Sequence, residues 1–483
     1  RGGRGAAARS ATPPQRKQGA VAAPEQGDPP PAHAEEPRGP RHEDGESEAC
    51  PKQQAAEPRQ EHASDASAPR QPGEGFIRPL FPRYISEAGA THLRTFKTST
   101  CDNSLMYRYA LSPLADRLAS LLPRTVAPNL ITVLGLVPTI SAHLLVLFYC
   151  PDLQQQVPSW VWAYVAFCTF AYQTIDNMDG KQARRTGTSS PLGMLIDHGV
   201  DALNVTFTGM NLIALFQLGG DWPRAALVWL GGALPFFLLT WEEFYTGTLY
   251  LPIVNGPTDG VLILVVVFLV SASVEDYTKF WSLPVPGGGG ASITDCVLLF
   301  FWLCVFGNIA ASFLTVERFH HGGGRGGSHG GGGAPPPSSA GTRPASTRRG
   351  RFRDAVAALV PFFAGAAASA LWMSRSRVFD THPRCVFWLL GLVFSKLVTH
   401  LQVAHICGEA YRPWRKTLIL PLLLTTANKA LFRSPPVDEA VLLVGCVGAA
   451  LLSWSHMFYS VVAEMAAVLE IRVFSLQPPK KAR

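Results

Sequence analysis

Long apolar runs decide what this chain can fold into. They lie near 127–149, 157–176, 193–218, 225–244, 258–274, 294–316, 354–374, 385–406, 416–432 and 438–464. About 20 apolar residues is the length an α-helix needs to cross the hydrocarbon core of a bilayer. Within that core each backbone N–H and C=O must be satisfied inside its own segment, so runs of this length resolve as helices. The expectation is an all-α, polytopic integral membrane bundle of about ten transmembrane helices. Pro138, Pro235, Pro361 and Pro421 fall inside runs, where neighbouring helices make kinks tolerable.

Composition agrees with that reading. Hydrophobic residues make up 47% of the chain and charged ones only 16%, crowded into the N-terminus and a few loops. The net charge of +7 then belongs to loops beside anionic lipid, not to a nucleic-acid surface. The single RGGRG at the start is too little to change this. The nine cysteines include no C-x-x-C pair, so neither a disulfide framework nor a zinc site is expected. No apolar signal-peptide core stands in the first ninety residues.

The runs also divide the chain. Residues 1–85, rich in Ala, Pro, Glu, Arg, Gln and Gly, lack the apolar side chains needed to fold and read as a disordered cytosolic tail. Residues 86–126 read as an interfacial amphipathic segment. There Ser112 is the expected N-cap, Pro113 the first-turn proline, and Leu114, Leu118, Leu121 and Leu122 one apolar stripe. A six-helix unit follows over 127–318, then a Gly/Ser/Pro/Arg-rich linker over 319–353. A four-helix unit over 354–470 and a basic cytosolic tail over 471–483 complete the chain.

Lys and Arg in the short connections set the orientation. Lys181, Arg184 and Arg185, the 318–353 stretch, and Arg412, Arg415 and Lys416 are basic, whereas residues 150–156 carry no Lys or Arg. An even number of crossings then places both termini on the basic, cytosolic side. Arg375, Arg377 and Arg384 fall on the opposite side and run against the rule.

One stretch interrupts the apolar pattern with charge. Asp176 to Asp201 reads DNMDGKQARRTGTSSPLGMLIDHGVD, in the frame D-x2-D-G-x2-A-R-x8-G-x3-D-x3-D. Asp176, Asp179, Gly180 and Ala183 stand at i, i+3, i+4 and i+7, one stripe of a helix; Gly193, Asp197 and Asp201 repeat the spacing on a second. The polar turn between them folds the two helices antiparallel, with four carboxylates facing each other. Such a cluster needs cations, and oxygen-only ligands favour Mg²⁺ or Mn²⁺ over zinc. Divalent ions held there can neutralise and polarise an anionic ligand. Gly180 and Gly193 remove side chains where a ligand must come close to helix backbone, and Arg184 offers a planar fork to anionic oxygens.

The frame matches, at each defining position, the signature of the CDP-alcohol phosphatidyltransferase family. The wording DNMDGKQARRTGTSSPLG followed by DHGVD resembles its choline/ethanolamine phosphotransferase branch, over about Tyr107 to Glu470. The resemblance implies that Asp176, Asp179, Asp197 and Asp201 hold metal, with Asp201 also taking the proton of the attacking hydroxyl. It implies transfer of phosphocholine or phosphoethanolamine from CDP-choline or CDP-ethanolamine to diacylglycerol drawn from the lipid bilayer, with CMP leaving. It further implies an endoplasmic reticulum or Golgi membrane with the site facing the cytosol. A homodimer is allowed, and no nucleic-acid partner is implied. Another acceptor, inositol or glycerol phosphate, is the nearest alternative; a cation-coupled transporter is the alternative from another class, although no second copy of the aspartate pattern exists.

Further residues have two readings each. His198 beside Asp197 is either an alternative base or an orienting group. Asn129 in APNLIT matches a recurring family position and binds nucleotide or metal, or else caps the first span. Trp241 and Glu242, in WEEFY, suit an ammonium headgroup or belong to the interfacial aromatic belt.

Overall fold

The computed structural model describes residues 83–321, 348–412, 414, 416–432 and 436–476. The expected tail up to residue 82, the linker residues 322–347 and the last residues 477–483 lie outside the described set.

Fifteen α-helices carry the described fold. Ahead of the first long run stand α1 (Glu87–Thr95) and α2 (Ser112–Leu121). After them come α3 (Pro128–Tyr149), α4 (Ser159–Thr186), α5 (Pro191–Leu215), α6 (Trp222–Thr246), α7 (Val261–Ser273), the short α8 (Tyr277–Ser282) and α9 (Ile293–His321). Beyond residue 347 stand α10 (Arg348–Ala357), which begins inside the expected linker range, α11 (Val360–Arg375), the one-turn α12 (Val378–Thr381), α13 (Pro383–Ile406), α14 (Lys416–Ala430) and α15 (Glu439–Leu469). The only sheet among the described residues is a parallel pair, β1 (Thr100–Asp102) with β2 (Leu249–Leu251).

A helix stands at each of the ten expected places. Among the described residues, seven of these helical stretches are long and apolar enough to cross a membrane. The three that fall short have a physical reason. α4 and α5 carry the polar stretch, and α14 has only 15 residues. α4 packs against α3 and α7, and α5 against α3, α6 and α13, so neighbouring helices stand in for lipid around them. α13 is the most enclosed of the apolar spans and touches α5, α6 and α15. It closes on α5 at Gly391, where an added Cβ would stand 2.2 Å from Thr206 Cγ2. The outward faces of α3 and α9 keep Val137, Phe148, Leu303 and Phe306 exposed, as a lipid-facing surface requires.

One expectation is corrected here. Ser112 does not cap α2, because a π-helical turn (Tyr107–Leu111) runs straight into the helix; Ser112 Oγ instead accepts from Lys181 Nζ at 2.8 Å. Of the leucine stripe, Leu114, Leu118 and Leu122 are half-buried, Leu118 and Leu122 packing beside Ala115. Ala115 and Ala119 face inward and Leu121 is 78% exposed, since small residues let α2 lie close to α4. Lys181, Gln182 and Arg185 fasten that contact. Lys181 also pairs with Asp116 at 2.7 Å; Gln182 reaches the Pro123 and Val126 carbonyls, and Arg185 those of Ala119 and Leu122.

Arg384 resolves part of the charge conflict noted above. It is 5% exposed, and its guanidinium donates to the carbonyls of Cys150 and Pro151 at 2.5–3.1 Å, satisfying the C-terminal end of α3. It is a buried capping group and does not belong to the loop charges that orient the chain. Arg375 and Arg377 remain exposed.

Candidate active site

α4 ends at Gly187, whose φ of +66° is the left-handed conformation that closes a helix without strain on a side chain. Three residues later Ser190 caps α5, its hydroxyl accepting from the Gly193 amide at 3.2 Å, with Pro191 in the first turn. This tight hairpin turns the two aspartate stripes toward each other. Ligand oxygens of Asp176, Asp179 and Asp197 lie within 4.8 Å of one another, a spacing that can hold a divalent ion. All three are half-buried, and the Asp197 side chain is 35% exposed, so ions and solvent can reach them.

Groups from neighbouring positions orient the carboxylates. Thr132 on α3 donates to Asp179 Oδ2. Tyr172, one turn before Asp176 on α4, donates to Asp201 Oδ1 at 2.5 Å. Among the described residues no hydrogen bond reaches Asp201 Oδ2. Asp201 stands outside the tight trio, one turn further along α5.

Gly180, Ala183 and Arg184 occupy the last turns of α4 beside the trio. The exposed Arg184 folds over Gly180, its Nη1 3.6 Å from where a Cβ would be, and makes no hydrogen bond within the described residues. Gly193 faces Asn129, whose Oδ1 would lie 3.3 Å from an added Cβ; Asn129 Nδ2 donates to the Val473 carbonyl at 2.9 Å. Asn129 is therefore at the edge of the site, tied to the segment that follows α15.

His198 is buried behind Asp197. Its Nδ1 donates to the Met194 carbonyl at 3.1 Å, and its Nε2 faces Glu243 Oε2 at 3.4 Å. Gln402 on α13 donates to the same Glu243 oxygen at 3.0 Å.

Trp241 and Glu242 are not brought to the aspartates. Trp241 is fully buried and donates to the Ala355 carbonyl on α10, while Glu242 is buried facing Ser312 and Thr315 on α9. Successive helical residues point about 100° apart, so Glu243, not Glu242, faces α5. The NGPT stretch after β2 likewise serves the fold. Asn255 caps a π-turn, and Thr258 donates to Asp102 Oδ2 at 3.1 Å. Burial raises the Asp102 carboxyl above its ordinary value, opposed by hydrogen bonds from the Ser104 amide and the Thr258 hydroxyl.

The residues that sequence reading missed are Thr132, Tyr172, Glu243 and Gln402. Tyr172 lies at i−4 from Asp176, so extending the aspartate stripe backward reaches it. Thr132 ends the APNLIT run already singled out. Glu243 required knowing the rotation of α6, and Gln402 carries no local signal.

Comparison with known proteins agrees with this geometry. The sequence model of the CDP-alcohol phosphatidyltransferase family matches residues 125–302. Choline/ethanolaminephosphotransferase 1 of Arabidopsis thaliana is 31% identical over 401 residues, covering 81% of this chain and 98% of that protein. Choline/ethanolaminephosphotransferase 1 of Saccharomyces cerevisiae is 26% identical over 413 residues, 82% of this chain and 99% of that protein. Ethanolaminephosphotransferase 1 of Mus musculus is 27% identical over 417 residues, 82% and 95% of the two chains. Alignments of this length extend well beyond the family segment, and with the aspartate frame set on facing helices the chain belongs to the CDP-alcohol phosphatidyltransferase family.

Proposed function

We propose that this membrane phosphotransferase moves phosphocholine or phosphoethanolamine from its CDP ester to diacylglycerol, releasing CMP. The observation that carries the reading is the convergence of Asp176, Asp179 and Asp197 across the α4–α5 hairpin. Three carboxylates and no sulfur or imidazole in the trio suit a hard divalent cation such as Mg²⁺ or Mn²⁺. Bound there, two such ions would neutralise the diphosphate and polarise the phosphoryl group.

The chain's own residues do the rest. Asp176, Asp179 and Asp197 fix where the diphosphate sits, and Thr132 holds the Asp179 carboxylate in register. Arg184, with no hydrogen bond within the described residues, reaches over Gly180 toward phosphate oxygens. The bare backbone at Gly180 and Gly193 admits the nucleotide, with the Asn129 amide beside it. Tyr172 orients Asp201 through Oδ1, which leaves Oδ2 to accept the proton of the diacylglycerol hydroxyl. The hydroxyl oxygen then forms the new bond to phosphorus as the bond to CMP breaks. His198 has its nitrogens directed at Met194 and Glu243, which favours an orienting role over that of base.

The headgroup assignment is supported by the names of the relatives, whose alignments cover 81% and 82% of this chain. That coverage takes in more than a six-helix unit and weighs against the inositol and glycerol phosphate branches. Exposed Arg184 at the hairpin end of α4 supports a cytosol-facing site, in a membrane of the endoplasmic reticulum or Golgi. The test is CMP release by purified protein in detergent micelles. It should need both a CDP-alcohol and diacylglycerol; release without diacylglycerol, or none with either CDP-alcohol, would overturn the reading.

A further inference from the structure

The His198–Glu243 pair is completed from outside the catalytic unit. Gln402 lies on α13, a hundred residues beyond the segment that matches the family. It is fully buried, and its Nε2 donates to Glu243 Oε2 at 3.0 Å. The same oxygen faces His198 Nε2 at 3.4 Å, and His198 adjoins Asp197 on α5.

The amide orientation is informative. Gln402 Oε1 is buried and has no hydrogen-bond partner among the described residues, which costs the desolvation of that oxygen. Turning the amide over would set an oxygen against the Glu243 carboxylate, which is worse. The contact to Glu243 therefore dictates the orientation of Gln402. The helix that carries it is held firmly: Gly391 of α13 meets Thr206 of α5, and α13 packs on α6 and α15 as well. Rigid helices locate a side chain better than a loop does.

We propose that Gln402 is a positioning residue for the reaction. It fixes the Glu243 carboxylate against His198 and so holds the His198–Asp197 turn of α5 in its working geometry. The second helical unit thereby supplies part of the active centre. The inference rests on the reading that the aspartate site is the reacting centre.

The test is steady-state CMP release with CDP-choline as the varied substrate, on full-length protein in detergent. Gln402→Leu should lower kcat about tenfold, the low end for loss of an outer orienting contact, while KM for CDP-choline stays within about twofold. Combined with Glu243→Gln it should add little to the loss of Glu243→Gln alone, because both act through one contact. Gln402→Glu sets two carboxylates together and should be worse; adding Glu243→Gln restores a donor–acceptor pair and should recover turnover, which a pure packing role would not. Gln402→Met carries the same expectation if Gln402→Leu does not accumulate.

Normal kcat in Gln402→Leu, or losses that multiply with Glu243→Gln, would overturn the proposal. So would an impaired Gln402→Leu beside a fully active Glu243→Gln, since Gln402 would then have nothing to position. Wild-type protein that releases no CMP would overturn the functional reading instead.

Discussion

The Tyr172 hydroxyl meets Asp201 Oδ1 at 2.5 Å, so the fourth aspartate of the frame is held by a neutral donor while the other three cluster around a cation-sized space. One motif thus contains two kinds of carboxylate. Tyr172→Phe removes the orienting donor without removing the base. It should lower kcat about tenfold and leave CDP-alcohol binding near wild type. Initial rates beside a binding titration check this, and equal loss of both would show that Tyr172 serves the whole site.

Metal dependence follows from the trio. Activity should vanish in excess chelator and return on adding Mg²⁺ or Mn²⁺, since the clustered carboxylates repel when no cation is present. Thr132→Val should raise the metal concentration needed for half-maximal rate by about 10–100-fold, because Asp179 loses its orienting hydroxyl. Full turnover in chelator would end the metal reading.

Arg384 yields a prediction about stability alone. Arg384→Met strips hydrogen bonds from the buried Cys150 carbonyl and from Pro151, at a cost of about 1–3 kcal/mol for each buried group left unsatisfied. Thermal unfolding in detergent should shift downward. Specific activity of the folded fraction should hold, because Arg384 caps the far end of α3 from Thr132. A lost kcat with an unchanged unfolding profile would contradict this placement.

Much of the fold was legible because hydrophobic length is a strong signal: a helix stands at each of the ten expected places, although seven meet the length and apolarity of a membrane span. The aspartate hairpin was legible for a related reason, since its stripes, turn and caps are all local. Less readable was anything decided by rotation or close approach. WEEFY could not say that Glu243 faces α5 while Glu242 faces α9. Nor could a leucine stripe on α2 reveal that Ala115 and Ala119 form the contact. Arg384 resembled a misplaced loop charge until α3 supplied carbonyls for it. Each depends on a partner distant in sequence.

The most direct measurement of the central claim compares Asp179→Asn with Asp201→Asn, reading CDP-choline binding and initial rate on the same detergent-solubilised preparations. Asp179→Asn should weaken binding as well as rate. Asp201→Asn should keep most of the binding yet lose ~10²–10⁴-fold in rate, the range for a missing general base. Normal turnover by Asp201→Asn, beside an inactive His198→Ala, would contradict the account and make the histidine the base.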